Sequence, residues 1–148
     1  MTPQLEITPF RESDRAGVIE LWAAVFPGDP AHNQSTDMID RKLRVQPELF
    51  LVARDADVVV GTVMAGYDGV RGWIHRLAVR ESSQRLGVGK ALLRAAEAGL
   101  ARMGCPKVNL QIRVANASVV AFYRSAGYEV DDNVSMGKRL DYSVSMKA

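Results

Sequence analysis

The segment LAVRESSQRLGVGKALL, residues 77–93, joins an apolar, strand-like run to a helical pattern through a polar loop that carries two glycines. The first N–H groups of a helix have no acceptor within the helix, and the helix dipole adds partial positive charge at the same end. Glycines let the backbone approach a ligand closely because no Cβ intervenes. The segment therefore predicts a cradle for the pyrophosphate of a phosphorylated cofactor.

Two other phosphate-binding loops match this segment less well. The nucleoside-triphosphatase loop has a longer gap between its glycines and a Lys followed by Ser or Thr, whereas Lys90 is followed by Ala91. The dinucleotide-binding fingerprint has a third glycine, and Leu92 stands at that position. Both of these loop types are therefore disfavoured.

The same residues resemble motif A of the GNAT superfamily of acetyl-CoA-dependent N-acetyltransferases, which reads Gln/Arg-x-x-Gly-x-Gly/Ala after a strand. Gln84, Gly87 and Gly89 fill that pattern, and Leu-Ala-Val is the family's usual strand ending. The segment NASVVAFYRSAGY, residues 116–128, resembles the family's motif B, Asn-x-x-(small or aliphatic)-x-x-Phe-Tyr-x-x-x-Gly-Phe/Tyr. The resemblance covers nearly the whole chain and is closest to small, single-domain bacterial members.

Length and composition limit the class of protein. The 148 residues fit one domain, 1–148, and 47% hydrophobic with 24% charged residues is ordinary for a soluble globular chain. A net charge of +2 gives no dense basic face for nucleic acid, and no apolar run has membrane-spanning length. The N-terminus lacks a signal-peptide pattern, and the single Cys105 excludes an internal disulfide and a cysteine-based zinc cluster. We therefore expect a cytoplasmic protein with no metal.

Hydrophobic periodicity predicts an α+β (mixed α/β) chain with one crossover helix. Strands are predicted at 5–7, 49–53, 58–65, 73–79, 108–112, 128–130 and 134–140, and helices at 10–25, 36–45, 87–103 and 117–125. Ser13 or Asp14 is expected to cap the first helix, and residues 141–148 read as a flexible tail. The resemblance implies a GNAT fold, a twisted, mostly antiparallel sheet of six to seven strands with helices on both faces.

The resemblance also implies how acetyl-CoA binds. The N–H groups from Arg85 to Lys90 would contact the pyrophosphate, and these two side chains either add charge or remain solvated surface cations. The backbone at the end of the 73–79 strand would pair with the pantetheine amides, in the cleft beside the 108–112 strand. Asn116 would cap the motif B helix or lie near pantetheine. The implied cofactor-binding residues are Leu77, Ala78, Val79, Gln84, Arg85, Leu86, Gly87, Val88, Gly89, Lys90, Asn116, Phe122 and Tyr123.

Two residues are candidates for catalysis. Tyr123 matches the family tyrosine that protonates or stabilises the CoA thiolate; the alternative is a packing aromatic, a role that Phe122 already fills. The strand position of the family's usual Glu base is Trp73. His75 resembles the histidine of the arylalkylamine branch, His-x-Leu-Ala-Val, and has a suitable ordinary pKa. In a regular strand it shares a face with Leu77 and Val79. A structural histidine and a water chain remain alternatives.

The implied reaction is transfer of an acetyl group from acetyl-CoA to a primary amine, by direct attack in a ternary complex. A small molecule, an amino acid and a peptide N-terminus all remain open as acceptors, and so does a longer acyl-CoA as donor. The alternative function is a non-catalytic CoA-binding sensor or partner-regulating module. Family members often form dimers, so a homodimer is compatible with the resemblance. Candidate walls of the acceptor pocket are Trp22, Phe26, His32, Tyr67 and Trp73.

Overall fold

A computed structural model describes residues 5–29 and 34–140, and the chain divides into two compact units, 1–111 and 112–148. The second unit contains one α-helix among its described residues, α4 Ser118–Ser125. The expected tail at 141–148 lies outside the described residues. The described part of the first unit contains β1 Leu5–Pro9, α1 Arg15–Val25, α2 Ser35–Lys42, β2 Phe50–Asp55, β3 Val58–Tyr67, β4 Gly72–Val79, α3 Val88–Arg102 and β5 Val108–Leu110.

The sheet of the first unit has the strand order β1-β2-β3-β4-β5. The first four strands pair antiparallel with their neighbours, and β5 pairs parallel with β4. The crossover from β4 to β5 runs through α3, as a parallel connection requires. The architecture is therefore the expected mixed α+β fold with a mostly antiparallel sheet.

The expected strand number is not reached in the described residues, where the sheet has five strands. No strand forms at 128–130 or 134–140, the two segments predicted to close the sheet. Apolar side chains in these segments are largely exposed, with Val134 at 88% and Met136 at 91%. Their alternating pattern therefore does not correspond to a buried sheet face, and the prediction of these two strands is wrong for this structure.

Helices cover both faces of the sheet in the first unit. The face toward α1 and α2 holds one cluster of buried residues: Val18, Leu21, Trp22, Ile39, Phe50, Val52, Val59, Met64 and Ala78. On the other face, α3 buries Val88, Leu92, Ala96 and Leu100, which are four residues apart and so lie along one stripe of the helix. The helical period of this segment correctly predicts the buried stripe.

Gly61 permits the close approach of α3 to β3. A Cβ at this position would lie 2.8 Å from Cδ1 of Leu92 and 3.1 Å from the carbonyl oxygen of Ala78. We expect Gly61→Ala to lower the free energy of unfolding by about 1–3 kcal/mol, because the added methyl overpacks the core. Urea denaturation measures this effect. Gly137→Ala is the control, since a Cβ there would meet nothing within 4 Å; equal losses in both variants would contradict the packing argument.

Asp14 does not cap α1 through its side chain. It occupies the residue before the helix, but no side-chain capping hydrogen bond forms there. Its carboxylate instead accepts hydrogen bonds from the Arg54 guanidinium and from the Arg11 N–H, the latter at 2.9 Å. Asp14 and Arg54 are both buried, at 4% and 3% exposure. The predicted cap is therefore wrong, because the carboxylate forms a buried ion pair with β2.

Candidate active site

The loop after β4 is tied to the sheet. A 3-10 turn spans Glu81–Ser83, and the side-chain amide of Gln84 donates a hydrogen bond of 3.2 Å to the carbonyl oxygen of Val79. The backbone N–H of Arg80 donates to the carbonyl oxygen of Val60 on β3 at 2.8 Å. The motif A glutamine therefore holds the loop against the end of its strand.

Two residues of this loop have the left-handed backbone conformation that leads into α3. Arg85 has φ 68°, and Gly87, which immediately precedes the helix, has φ 82°. A Cβ at Gly87 would meet nothing within 4 Å, so glycine is favoured there by backbone conformation rather than by crowding. The Ala91 N–H bonds to the Gly87 carbonyl at 3.0 Å, so the N–H groups at 88–90 precede the first intrahelical bond. The loop thus offers donors and positive potential to an anion.

The predicted cofactor residues of the first unit differ in what they can offer a ligand. The side chains of Ala78 and Val88 are buried, so these residues can contact a ligand only through their backbone. Lys90 is half-buried, and its side chain remains a candidate for charge contacts. The other members are exposed or half-buried: Leu77, Val79, Gln84, Arg85, Leu86, Gly87 and Gly89.

One edge of β4 opens toward this loop. β4 pairs with β5 over only three residue pairs, the last being Ile74 with Leu110. No strand among the described residues pairs with this edge between His75 and Val79. This stretch of edge is where the predicted splay of the two strands would place an extended ligand.

A β-bulge divides β4 just after His75. In the pairing with β3, Met64 lies opposite His75 and Thr62 lies opposite Ala78, so two residues of β4 face one residue of β3. Directly opposed residues share a face of the sheet, so His75 and Ala78 lie on the face of α1 and α2. Val79 lies on the other face, opposite Gly61. The prediction that His75 shares a face with Leu77 and Val79 is wrong, because the bulge shifts the alternation by one residue.

The surroundings of His75 favour its neutral form. Its side chain is exposed at the sheet face, yet desolvation by the surrounding protein lowers its pKa from 6.5. The positive charges of Lys42 and Arg76 lower that pKa further. A neutral imidazole can accept a proton, which is the property that a general base needs.

Arg76 is the bulged residue, with φ 56°. Its guanidinium pairs with Asp29, lies 5.0 Å from the ring centroid of Trp22 and lies 4.4 Å from that of Phe26. The Arg76 carbonyl accepts a hydrogen bond of 2.9 Å from Thr62. These contacts fix the bulge to α1 and to the segment that follows that helix. Sequence analysis does not identify this role, since no local pattern marks Arg76.

The candidate pocket walls take different places in the structure. Trp22 is a core residue at 1% exposure, and its Nε1 donates to Thr62 at 2.9 Å, so it does not line a pocket. Trp73, at the family's Glu position, donates from Nε1 to Asp68 at 3.3 Å, and the Tyr67 hydroxyl donates to the Gly69 carbonyl at 3.3 Å. Both lie at the 67–71 turn. His32 lies outside the described residues.

Tyr123 lies on α4 in the second unit. Its ring makes edge-on contacts with Phe122, at a centroid distance of 5.1 Å, and with Tyr128, at 5.8 Å. Burial raises the pKa of Tyr123 to about 12. The phenol therefore keeps its proton at neutral pH and can act as a hydrogen-bond donor or an acid.

Asn116 does not cap α4. It ends the 3-10 turn Val114–Asn116, and its own N–H donates to the Arg113 carbonyl at 2.8 Å. The residue before α4 is Ala117, and no side-chain capping bond forms there. The predicted cap is wrong because the turn includes Asn116 and α4 starts two residues later, at Ser118.

The described residues show neither a membrane-spanning helix nor a metal-binding cluster. No described helix is long and apolar enough to cross a membrane. Within 5–29 and 34–140, no group of three or more His, Cys, Asp and Glu side chains is placed to hold a metal ion.

The chain is similar to known acetyltransferases. The sequence model of the acetyltransferase (GNAT) family matches residues 15–128 of this chain. An acetyltransferase of Yersinia enterocolitica is 40% identical over 136 residues, which cover 92% of this chain and 96% of that protein. The crystal structure of Ard1 from Thermoplasma volcanium has a TM-score of 0.75 at 26% identity, covering 86% of this chain and 84% of that one. An aminoglycoside N-acetyltransferase solved in complex with CoA has a TM-score of 0.77 at 17% identity, covering 94% and 97%.

Proposed function

Because the chain belongs to the GNAT acetyltransferase family and is an N-acetyltransferase, we propose that it transfers an acetyl group from acetyl-CoA to a primary amine. The observation that carries the proposal is the edge of β4 from Leu77 to Val79, with which no described strand pairs and which continues directly into the glycine loop. An extended thioester arm fits such an edge, and a pyrophosphate fits the loop at its end. The CoA complex of the aminoglycoside enzyme supports the same class of donor.

The residues of the loop fit CoA by their backbone. The N–H groups from Arg85 to Lys90 bind the pyrophosphate, with Gly87 supplying the left-handed turn that aims them outward. Leu77, Ala78 and Val79 offer main-chain groups along the open edge of β4. Gln84 positions the loop through its bond to Val79. By family resemblance, Asn116 and Phe122 are further proposed cofactor-binding residues.

The chemistry requires one proton acceptor and one proton donor. Acetyl-CoA supplies the acetyl thioester. The imidazole of His75 accepts a proton from the acceptor's ammonium group, and the freed amine attacks the thioester carbonyl carbon. As the C–N bond forms and the C–S bond breaks, the Tyr123 phenol donates a proton to the departing sulfur. The attacking nitrogen releases its second proton to solvent, from which Tyr123 regains one, and His75 returns its own proton to solvent. No covalent enzyme intermediate is needed, because the amine attacks directly in a ternary complex.

The non-catalytic alternative, a CoA sensor, has less support. The Yersinia enterocolitica relative is named an acetyltransferase, which gives no support to a CoA-binding module without catalysis. The proposal also includes a cytoplasmic location and a homodimer. The phosphate loop belongs to residues 1–111 and Tyr123 to residues 112–148.

Calorimetric titration with acetyl-CoA, NADH and ATP tests the donor. We expect acetyl-CoA to bind selectively and Gly87→Ala to bind it about tenfold more weakly, since a Cβ strains the left-handed turn. Gly104→Ala is the matched control, because Gly104 has φ 85° and an open environment just beyond the other end of α3. Thiol release over a panel of amines then tests catalysis. Folded protein that binds no acetyl-CoA would refute the proposal.

A further inference from the structure

Lys42 is held over β3 close to His75. The Nζ atom of Lys42, the last residue of α2, donates a hydrogen bond of 2.5 Å to the carbonyl oxygen of Ala65. Gln46 fixes the same segment through two bonds to the backbone of Tyr67, at 2.9 and 2.8 Å. Ala65 is opposite Ile74, and Met64 is opposite His75. The register therefore brings the Lys42 ammonium to the stretch of sheet that carries His75.

No carboxylate of the described residues lies within ion-pair distance of the Lys42 ammonium. Lys42 is half-buried, and within the described part of the chain it makes no ion pair. Desolvation lowers its pKa from 10.5, and the charge of Glu48 opposes this shift without forming an ion pair. By contrast, the Arg76 guanidinium is paired with Asp29. The charges that act on His75 come from Lys42 and Arg76, and both are positive.

This arrangement discriminates between classes of amine. An acceptor with a second cationic group, such as a polyamine or an aminoglycoside, would place like charge against a half-buried ammonium and be repelled. An acceptor with an anionic group would supply the missing counter-charge. The positive surroundings would also favour the neutral, nucleophilic form of the bound amine.

Resting on the proposed function, we propose that the acceptor is an amine that also carries a carboxylate, and that Lys42 binds this carboxylate while the amine lies at His75. Lys42 is then a specificity-determining residue. Its ammonium donates hydrogen bonds to the carboxylate from its fixed position beside Ala65. The assignment leaves open whether the carboxylate belongs to a free amino acid or to a longer molecule, because both present the same group.

Matched pairs of acceptors test the proposal by steady-state kinetics. Phenylalanine is compared with phenethylamine, and 4-aminobutyrate with butylamine, so that each pair differs by one carboxylate. In the pair that shows the larger difference, we expect kcat/KM to be at least about tenfold higher for the amine that carries a carboxylate than for its counterpart without one. A dipeptide and an amino acid then distinguish a peptide end from a free amino acid. Equal or higher values for both plain amines would overturn the proposal while leaving acetyl transfer established.

Variants at α2 separate the local contact from general charge effects. Lys42→Gln is expected to abolish the carboxylate preference, and Lys42→Arg to retain it. Arg44→Gln removes one exposed charge two residues further on and is expected to retain it fully. A preference that survives Lys42→Gln, or that disappears equally in Arg44→Gln, would contradict the role of Lys42.

A binding measurement gives an answer that does not depend on turnover. The chain has two histidines, so the His75 proton resonance can be assigned with His75→Gln. With CoA present, an N-acetylamino acid is expected to raise the pKa of His75, whereas its carboxamide is not. An equal response to both ligands would overturn the carboxylate assignment. If acetyl-CoA itself fails to bind in the calorimetric titration, the proposed function falls and this inference falls with it.

Discussion

Replacing Tyr123 with phenylalanine is expected to lower kcat about a hundredfold, the loss typical of a missing general acid, with little change in acetyl-CoA affinity. The substitution keeps the ring, and with it the edge-on contacts to Phe122 and Tyr128. Only the hydroxyl is lost. Because burial raises the pKa of Tyr123 to about 12, the phenol retains its proton across the physiological range. The departing thiolate would then lose its donor while the protein keeps its packing.

Initial rates of thiol release, with acetyl-CoA affinity measured by calorimetry, check this prediction. Tyr128→Phe is the matched control, since it makes the same chemical change on the neighbouring ring. The high pKa adds a second expectation, that ionisation of Tyr123 causes no loss of kcat between pH 7 and pH 10. A Tyr123→Phe variant with the wild-type kcat would remove the general-acid role and leave Tyr123 as a packing residue.

The buried ion pair of Asp14 and Arg54 is expected to give the largest stability effect. Arg54 Nε donates to Asp14 at 2.7 Å, and Arg54 Nη1 donates to Thr8 at 2.8 Å. Asp14→Ala leaves a buried guanidinium without its partner, so we expect the free energy of unfolding to fall by about 3–5 kcal/mol. Urea denaturation measures the loss.

A double variant distinguishes the ion pair from simple packing. In Asp14→Leu with Arg54→Met both charges are removed, and apolar replacement of a buried pair is often neutral or stabilising. We therefore expect the double variant to be more stable than Asp14→Ala. The single variants Asp14→Leu and Arg54→Met complete the comparison. If their losses of unfolding free energy add up to the loss in the double variant, the two side chains are not energetically coupled and the argument fails.

The same carboxylate predicts a dependence of stability on pH. Burial alone would raise the pKa of Asp14, but hydrogen bonds from Arg54 and from the Arg11 N–H, with the nearby positive charges, lower it below 3.8. The contribution of Asp14 is thus fully present above its unfolded-state pKa and is lost as pH falls through the lower folded-state pKa. The stability difference between wild type and Asp14→Asn should therefore shrink below about pH 4.

The elements that sequence analysis predicts correctly are those whose pattern reports burial. In α3, four apolar residues at a spacing of four predict the stripe that faces the sheet, and the structure buries them. The loop before α3 is also predictable, because Gly87 is needed for a left-handed turn. Local chemistry sets both features, so a short window of sequence is enough to find them.

The features that escape prediction depend on distant contacts. The bulge at Arg76 reverses the face of His75 relative to Leu77 and Val79, yet the residue is not a glycine and its neighbours read as a regular strand. Asp29 and two aromatic rings hold it, and these lie about fifty residues earlier in the chain. Lys42 is likewise placed beside His75 by the strand register rather than by its own helix.

The predictions of strands at 128–130 and 134–140 are wrong for the opposite reason. Their alternating apolar residues match the period of a strand, but the structure leaves Val130, Val134 and Met136 mostly exposed. A period of two indicates which residues could share a face; it does not supply the neighbouring strand that would pair with them. Alternation alone therefore overestimates the number of strands.

The bulge in β4 also makes this stretch of chain sensitive to length rather than to residue type. Deleting one residue at Arg76 would leave a regular ladder in which His75 still lies opposite Met64 and Val79 still lies opposite Gly61. It would, however, remove the local bend and the guanidinium that Asp29, Trp22 and Phe26 hold. Point substitutions at exposed positions of the same strand leave the bulge intact. During divergence, we expect this segment to accept exchanges of side chain while rejecting insertions and deletions, so its residue count would persist longer than its sequence.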